Sequence, residues 1–425
     1  MAGLLAARTL ADTYERVTIV ERDRLPAVGE GRKAVPQGRH VHVLLPAGKR
    51  CLDELLPGLS DELVAVGANP FGPDELRFEV AGHQLTRDVS GEVDATSVSA
   101  TRPLLEGHVR RRVLELAGVE VIENSNAVGL AIDESDERVT GVRVASRVHG
   151  ERLIGADLTV AASGRGGGIP AWLEELGFPR PSEERLPIEL RYATRSLRRK
   201  PGVLDDNRWV LIGARPGRPR TLVLSAVEGD RWLLTLGGYG SENHPPSDDE
   251  GFMEFVGNVG PPDVAEVIRD AEPLDEIVTH GFPANQRRYY ERLARFPEGL
   301  LVTGDAMASF NPVYGQGMTV AALEATALRD CLRKGRAKLE WRFLRAAAKH
   351  IDHAWQMAIA NDLALPEVDG DRPLRVRALT AYTDRLLRVA QHDPVVATAF
   401  RNVVGMLEAP MHVMRPAVAL RVLRG

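Results

Sequence analysis

Several functional classes are excluded by what the 425-residue sequence has little of. Its only cysteines, Cys51 and Cys331, are too few and too far apart for a disulfide framework or a zinc site, and both read as buried free thiols. Aromatic residues make up 5%, which offers no stacking surface for nucleic-acid bases. A net charge of -5 built from mixed signs gives no basic face for phosphate backbones or anionic membranes. No apolar run reaches the roughly 18 residues of a membrane span, and the N-terminus lacks a basic-then-apolar export signal. The expected chain is cytoplasmic, without a transmembrane span, a nucleic-acid partner or a metal. There is no internal repeat and no low-complexity linker. What remains, 44% hydrophobic and 27% charged, is the composition of a globular protein long enough for two domains and a large ligand.

The opening residues divide into an amphipathic stretch, Gly3 to Asp12, and an alternating β-branched run, Val17 to Val20, ending at Glu21. Helix, strand and terminal acid in this order follow the first strand of a dinucleotide-binding unit. Gly3 then reads as the last glycine of G-x-G-x-x-G, where the missing side chain lets helix and strand pack closely. The first strand and the two earlier glycines are absent. The expectation is a natural start about 10–15 residues upstream, a strand plus a tight turn. Glu21 has two readings, a ribose ligand or an acid that ends its strand because it is exposed there.

The Gly/Arg/Lys-rich segment GEGRKAVPQGRHVHVLL reads as an exposed loop suited to an anion, leading into a short strand. His40 and His42 would share that strand's face, as structural or pocket-lining residues without acid–base duty. Further along, a helix is expected from Lys49 to about Leu56, strands around Leu76–Val80 and Gln84–Asp88, and a helix capped by Thr101 with Pro103 in its first turn. A β-meander covers Val119 to Gly155. From Leu186 to about Gly238 the strands WVLIGA, TLVLSAV and WLLTLGGY belong to a large sheet, and an acid-capped helix follows HPPSDD. GFPANQRRYYERL reads as a charged loop leading to a helix. Beyond Lys338 the chain reads as helices broken at Pro366, Pro373, Pro394, Pro410 and Pro416.

GLLVTGDAMASFNPVYGQGMTVAALEATALRDCL is the most informative stretch. An apolar strand ends in Gly304 and Asp305, the position where open α/β sheets bind ligands. The loop that follows carries Pro312, Gly315 and Gly317 ahead of a long helix, and bare backbone N–H groups at a helix N-terminus suit an anion or an electron-rich ring edge. A carboxylate beside glycine suits the hydroxyls of a ribose or ribityl chain.

These residues resemble the class A flavoprotein monooxygenases, the group typified by p-hydroxybenzoate hydroxylase, over Gly3 to about Leu332. FNPVYGQGMT and the PQGRH-like loop look closest to actinobacterial hydroxylases and epoxidases of secondary metabolism. The resemblance implies an α/β fold: a three-layer, Rossmann-like ββα FAD-binding domain (1–65, 100–181 and 284–340), an inserted β-sheet substrate domain (66–99 and 182–283) and a C-terminal helical region (341–425). By the same likeness Gly3, Glu21 and Arg22 belong to the ADP-binding unit, Arg102 reaches the pyrophosphate or the ring, Gly304 and Asp305 meet the ribityl chain, and Pro312, Gly315, Gly317 and Met318 surround the isoalloxazine. Arg102 also reads as a solvated helix-start residue. The implied reaction is flavin reduction, capture of O2 as a C4a-hydroperoxide and oxygen transfer to a hydrophobic aromatic or alkene substrate. An Asp-Gly pair found in many relatives is replaced here by Ala161-Ala162-Ser163-Gly164, so NAD(P)H delivers electrons either directly or through a separate flavin reductase. A flavin-dependent reductase of an isoprenoid-like substrate and a non-enzymatic ligand-binding relative are the other readings. The C-terminal MHVMRPAVALRVLRG mixes apolar and Arg residues and either packs on its own domain or meets a lipid-like surface.

Overall fold

The structure, a computed structural model, describes residues 1–32, 35–91, 94–148 and 150–425. The β-branched run Val17–Val20 forms a parallel ladder with Val119–Ile122, and Thr159–Ala161 forms a second with the fully buried strand Leu300–Val302. Helices Ala2–Leu10, Arg102–Leu114 and Gln316–Arg333 pack with these strands, burying Leu5, Val109, Val113 and Ala325 in one core. An antiparallel meander, Ser125–Ile132, Val139–Ser146 and Gly150–Gly155, supplies the third layer. Gly3 acts as expected in the packing: a Cβ there would come within 3.2 Å of the Ala162 Cβ, so its absence lets the first helix close on the end of the 159–161 strand.

The second unit is an eight-stranded sheet in the order Ala308–Ser309, Val278–Arg288, Glu183–Arg198, Arg231–Tyr239, Arg220–Val227, Trp209–Ile212, Leu76–Val80, His83–Gln84. Strand periodicity divides its faces. Leu222, Leu224, Leu234 and Leu236 pack under helices Asp249–Val259 and Pro262–Arg269, with Phe252 and Val256 between them. The residues that alternate with them, Thr221, Val223 and Thr235, turn to a cleft shared with the first unit.

The C-terminal helices begin where the prolines direct. Pro373 is the N-cap of Leu374–Ala390, while Pro394 and Pro416 open Pro394–Val404 and Pro416–Arg424 in the first turn, where a missing N–H costs nothing. These three helices bury Leu386, Val396 and Val422 with Phe78 and Leu85 of the sheet edge. The longest helix, Leu339–Leu363, instead runs beside Gln316–Arg333.

Three local expectations are corrected. GFPANQRRYYERL is not a loop leading to a helix: Val278–Arg288 is an eleven-residue strand inside the large sheet. Its charges hide that, because Arg287, 1% exposed, is neutralised by Glu291 and by the sequence-distant Asp352. Only Val43–Leu44 of HVHVLL forms a strand, so His40 and His42 lie in the approach to it, after the short helical turn Pro36–Arg39. The strand expected over Gln84–Asp88 stops at Gln84, since the Thr86 N–H turns away to the Ala390 carbonyl. The Thr101 cap is as expected, its hydroxyl accepting from the Leu104 N–H.

Candidate functional site

A cavity of about 2180 Å³ runs between the two units, and all ten sequence-nominated residues line it: Gly3, Glu21, Arg22, Arg102, Gly304, Asp305, Pro312, Gly315, Gly317 and Met318. The volume is well above the roughly 300–1,000 Å³ of ordinary small-molecule sites and accommodates a dinucleotide together with a second ligand.

One end is built from charge. Glu21, at the end of the 17–20 strand, accepts the Asp23 N–H at 3.0 Å and is paired to Arg32 at 2.6 Å. Arg32 also donates to Glu106 at 2.6 Å, and Glu106 receives Arg102 from one helical turn before it at 2.9 Å. Burial would raise the Glu106 carboxyl, but the nearby cations, Arg102 and Arg32 among them, hold it well below the usual carboxylate range. Two guanidinium groups thus stand on the cleft wall, fixed by one buried carboxylate, with the fork geometry that suits a diphosphate. Glu21 is therefore not a bare strand end; its carboxylate belongs to this network. Arg22 lines the same end, more exposed.

The cleft is also lined by the Gly304–Asp305 turn. Gly304 has φ +64°, and its N–H donates to Glu324 at 2.7 Å beside the Thr303 hydroxyl at 2.5 Å. Glu324 is wholly buried, and burial pushes its carboxyl up to about 7. Asp305 is accessible from the cleft, but the protein around it raises its carboxyl, against the pull of Arg102 and Arg165.

A third part of the lining is uncharged. Gly315 adopts φ +64°, and a Cβ there would sit 2.6 Å from Val43 Cγ1, so the turn and the contact with Val43 both require glycine. A Cβ on Gly317 would instead project into open space on the cleft side. The helix Gln316–Arg333 has no side-chain cap at its N-terminus, leaving backbone N–H groups for a ligand. Pro312 is exposed to the cleft and Met318 is buried.

His40 is bonded through Nδ1 to Thr194 Oγ1 at 2.6 Å, and its ring centre lies 5.7 Å from that of His280. Burial lowers His40 to about 3 and His42 to about 4, so both are neutral and line the pocket as expected. Trp209, Val223 and Phe282 complete an apolar wall.

Sequence reasoning flagged the GEGRK loop for an anion without singling out Arg32, and missed Glu106, whose signal is its i,i+4 spacing from Arg102. Arg165, which donates to the Ala284 carbonyl at 2.7 Å and lies 5.1 Å from the Phe282 ring, was also missed. Among the described residues no cluster suits a metal ion, and no helix is long and apolar enough to cross a membrane.

A bare-backbone cradle at Gly317, guanidinium groups and a Gly-Asp turn on the walls of one cleft fit FAD. No protein-family model matches the chain. It is 34% identical over 421 residues to Protein Rv3254 of Mycobacterium tuberculosis, covering 96% of this chain and 88% of that protein. Among solved structures, PqsL of Pseudomonas aeruginosa, a probable FAD-dependent monooxygenase, aligns over 96% of both chains with a TM-score of 0.63 and 19% identity. A flavoprotein/dehydrogenase from Cytophaga hutchinsonii aligns over 99% of this chain and 94% of its own, with a TM-score of 0.68 and 18% identity. The chain belongs to the family of Protein Rv3254, and its fold is that of the class A flavoprotein monooxygenases.

Proposed function

We propose that the protein is an FAD-dependent monooxygenase that places one oxygen atom from O2 on an aromatic or alkene-containing secondary metabolite, by hydroxylation or epoxidation. The observation that carries this reading is one cleft lined together by the Glu21, Arg32, Glu106 and Arg102 network, the Gly304–Asp305 turn, the uncapped N-terminus of the helix Gln316–Arg333 and an apolar sheet face. In this reading the segments 1–65, 100–181 and 284–340 hold FAD, 66–99 and 182–283 hold substrate, and 341–425 braces both.

When bound, FAD supplies the redox chemistry and the activation of O2. The chain's own residues bind and exclude. Arg32 and Arg102 face the diphosphate, Glu21 the ribose and Asp305 the ribityl hydroxyls, while the N–H groups at Gly317 and Met318 favour negative charge on the ring edge. Trp209, Val223 and Phe282 hold an apolar substrate and keep water out, with Thr221 and Thr235 as hydrogen-bonding groups among them. No side chain need act as a nucleophile. Electrons come from NAD(P)H, directly or through a separate flavin reductase, and the buried free thiols suit a reducing cytoplasm.

The likeness to the Cytophaga flavoprotein/dehydrogenase favours a second reading, a flavin-dependent reductase acting on an isoprenoid-like double bond. Turnover under labelled O2 separates the two: label in the product supports the monooxygenase, and unlabelled product formed equally well without O2 supports the reductase.

A further inference from the structure

The loop between the 308–309 strand and the 316–333 helix is held from behind by a polar cluster that none of the assigned site residues supplies. Asp362, in the last turn of the helix Leu339–Leu363, is fully buried. Its Oδ1 accepts from the Tyr314 hydroxyl at 2.7 Å, the Asn311 side-chain amide at 2.8 Å and the Tyr239 hydroxyl at 3.3 Å. Its Oδ2 accepts from the Asn285 amide at 2.6 Å, and the Asn285 carbonyl in turn accepts the backbone N–H of Asn311 at 2.6 Å. Asn311 uses the rest of its capacity as well: its Oδ1 takes the Val313 N–H at 3.1 Å and the Tyr192 hydroxyl at 3.2 Å, and its amide also donates to the Tyr239 hydroxyl at 2.8 Å.

Resting on the FAD reading above, we infer that Asp362 is a positioning residue for the flavin-ring loop, fixing Asn311 to Gly317 against the large sheet so that Pro312 and the Gly317 backbone keep their place on the cleft wall. The hydrogen bonds run one way. Every group facing Asp362 is a donor, and Asn285 cannot turn its amide over without presenting N–H to the N–H of Asn311. The pair therefore needs a carboxyl on one of residues 362 and 285 and a carboxamide on the other, because two carboxamides would set donor against donor. Burial pushes the Asp362 carboxyl up to about 6, the cost of placing an acid where its acceptors serve the loop. The cluster joins three parts of the molecule: the C-terminal helices through Asp362, the large sheet through Tyr192, Tyr239 and Asn285, and the loop through Asn311 and Tyr314. A lone substitution in the C-terminal region should therefore be felt at the ring.

The test is an FAD titration of the full chain, read by the visible spectrum of the bound flavin, alongside a melt without FAD. Asp362→Asn places two amide donors face to face at Asn285 and should weaken FAD about tenfold and change its visible bands, beyond lowering the melt. The exchanged pair Asp362→Asn with Asn285→Asp restores every donor to an acceptor and should recover the spectrum and the affinity. Should Asp362→Asn fail to fold, Tyr314→Phe, which removes one donor, should produce a several-fold loss with the same spectral change. If a single variant lowers only the melt and binds FAD with the parent's affinity and spectrum, the cluster is mere core and the inference is overturned. It is likewise overturned if the exchanged pair behaves no better than Asp362→Asn. A parent chain that takes up no FAD overturns the functional reading itself, which is a distinct result.

Discussion

Two parts of the cleft wall solve the same problem, fixing a ligand, with opposite electrostatics. At the Glu21 end, carboxylates and guanidinium groups alternate through Glu21, Arg32, Glu106 and Arg102, all partly reachable from the cleft. Around Gly317 the lining is neutral: burial and, for His42, the neighbouring Arg102 hold His40 and His42 uncharged, and the Asp362 carboxylate is buried behind the loop. A charged end binds an anion strongly, while a neutral end lets a small difference in ligand charge dominate. That division suits a diphosphate at the charged wall and a redox-active ring at the neutral one.

The largest expected effect breaks the charged end. Glu106→Leu leaves Arg32 and Arg102 without their shared partner, and removing one member of a buried ion group costs about 3–5 kcal/mol. A denaturant melt should show that loss, and a variant as stable as the parent would mean the network is not what holds these guanidinium groups.

Next in size is Glu324, which holds the Gly304 turn from within. Its folded pKa lies above that of an unfolded glutamate, so the native state holds the proton more tightly. The associated stability is present below about pH 4.5 and is lost as pH rises through about 7, a change of roughly 3 kcal/mol. Glu324→Gln should lack this decline. The melting difference between parent and variant should therefore shift in the variant's favour from pH 5 to pH 8, and a difference independent of pH would show that Glu324 does not titrate there.

Two smaller effects sharpen the comparison because they spare the fold. Gly317→Val projects into open space, so the melt without FAD should stay close to the parent's while FAD affinity falls at least about tenfold. Unchanged affinity would place the ring elsewhere. Asp305→Ala removes one acceptor from the middle of the cleft and should weaken FAD several-fold, in line with about 1 kcal/mol for one hydrogen bond, without unfolding the chain. A variant holding FAD as tightly as the parent would remove the ribityl role.

Much of this cleft was legible in the sequence because local rules act there. A strand ending in Gly304-Asp305, glycines before a helix, and a helix followed by a strand ending in Glu21 each depend on residues close along the chain. The supports were not legible, because they join distant segments. Arg32 and Glu106 are 74 residues apart, and Asn311 and Asp362 are 51. The strand Val278–Arg288 was hidden for the same reason, since Arg287 is admitted to the interior by Asp352. Gly315 shows the intermediate case: the sequence singled it out for a ligand, while the requirement the structure shows, the approach of Val43, comes from across the fold.

The most direct test is titration of the purified 425-residue protein with FAD, followed by visible absorption and by the salt dependence of binding. The account predicts a stoichiometric yellow complex with the visible bands of bound flavin, whose affinity falls as salt screens the Arg32 and Arg102 end. A protein that stays colourless with excess FAD, or that binds it with no dependence on salt, would contradict it.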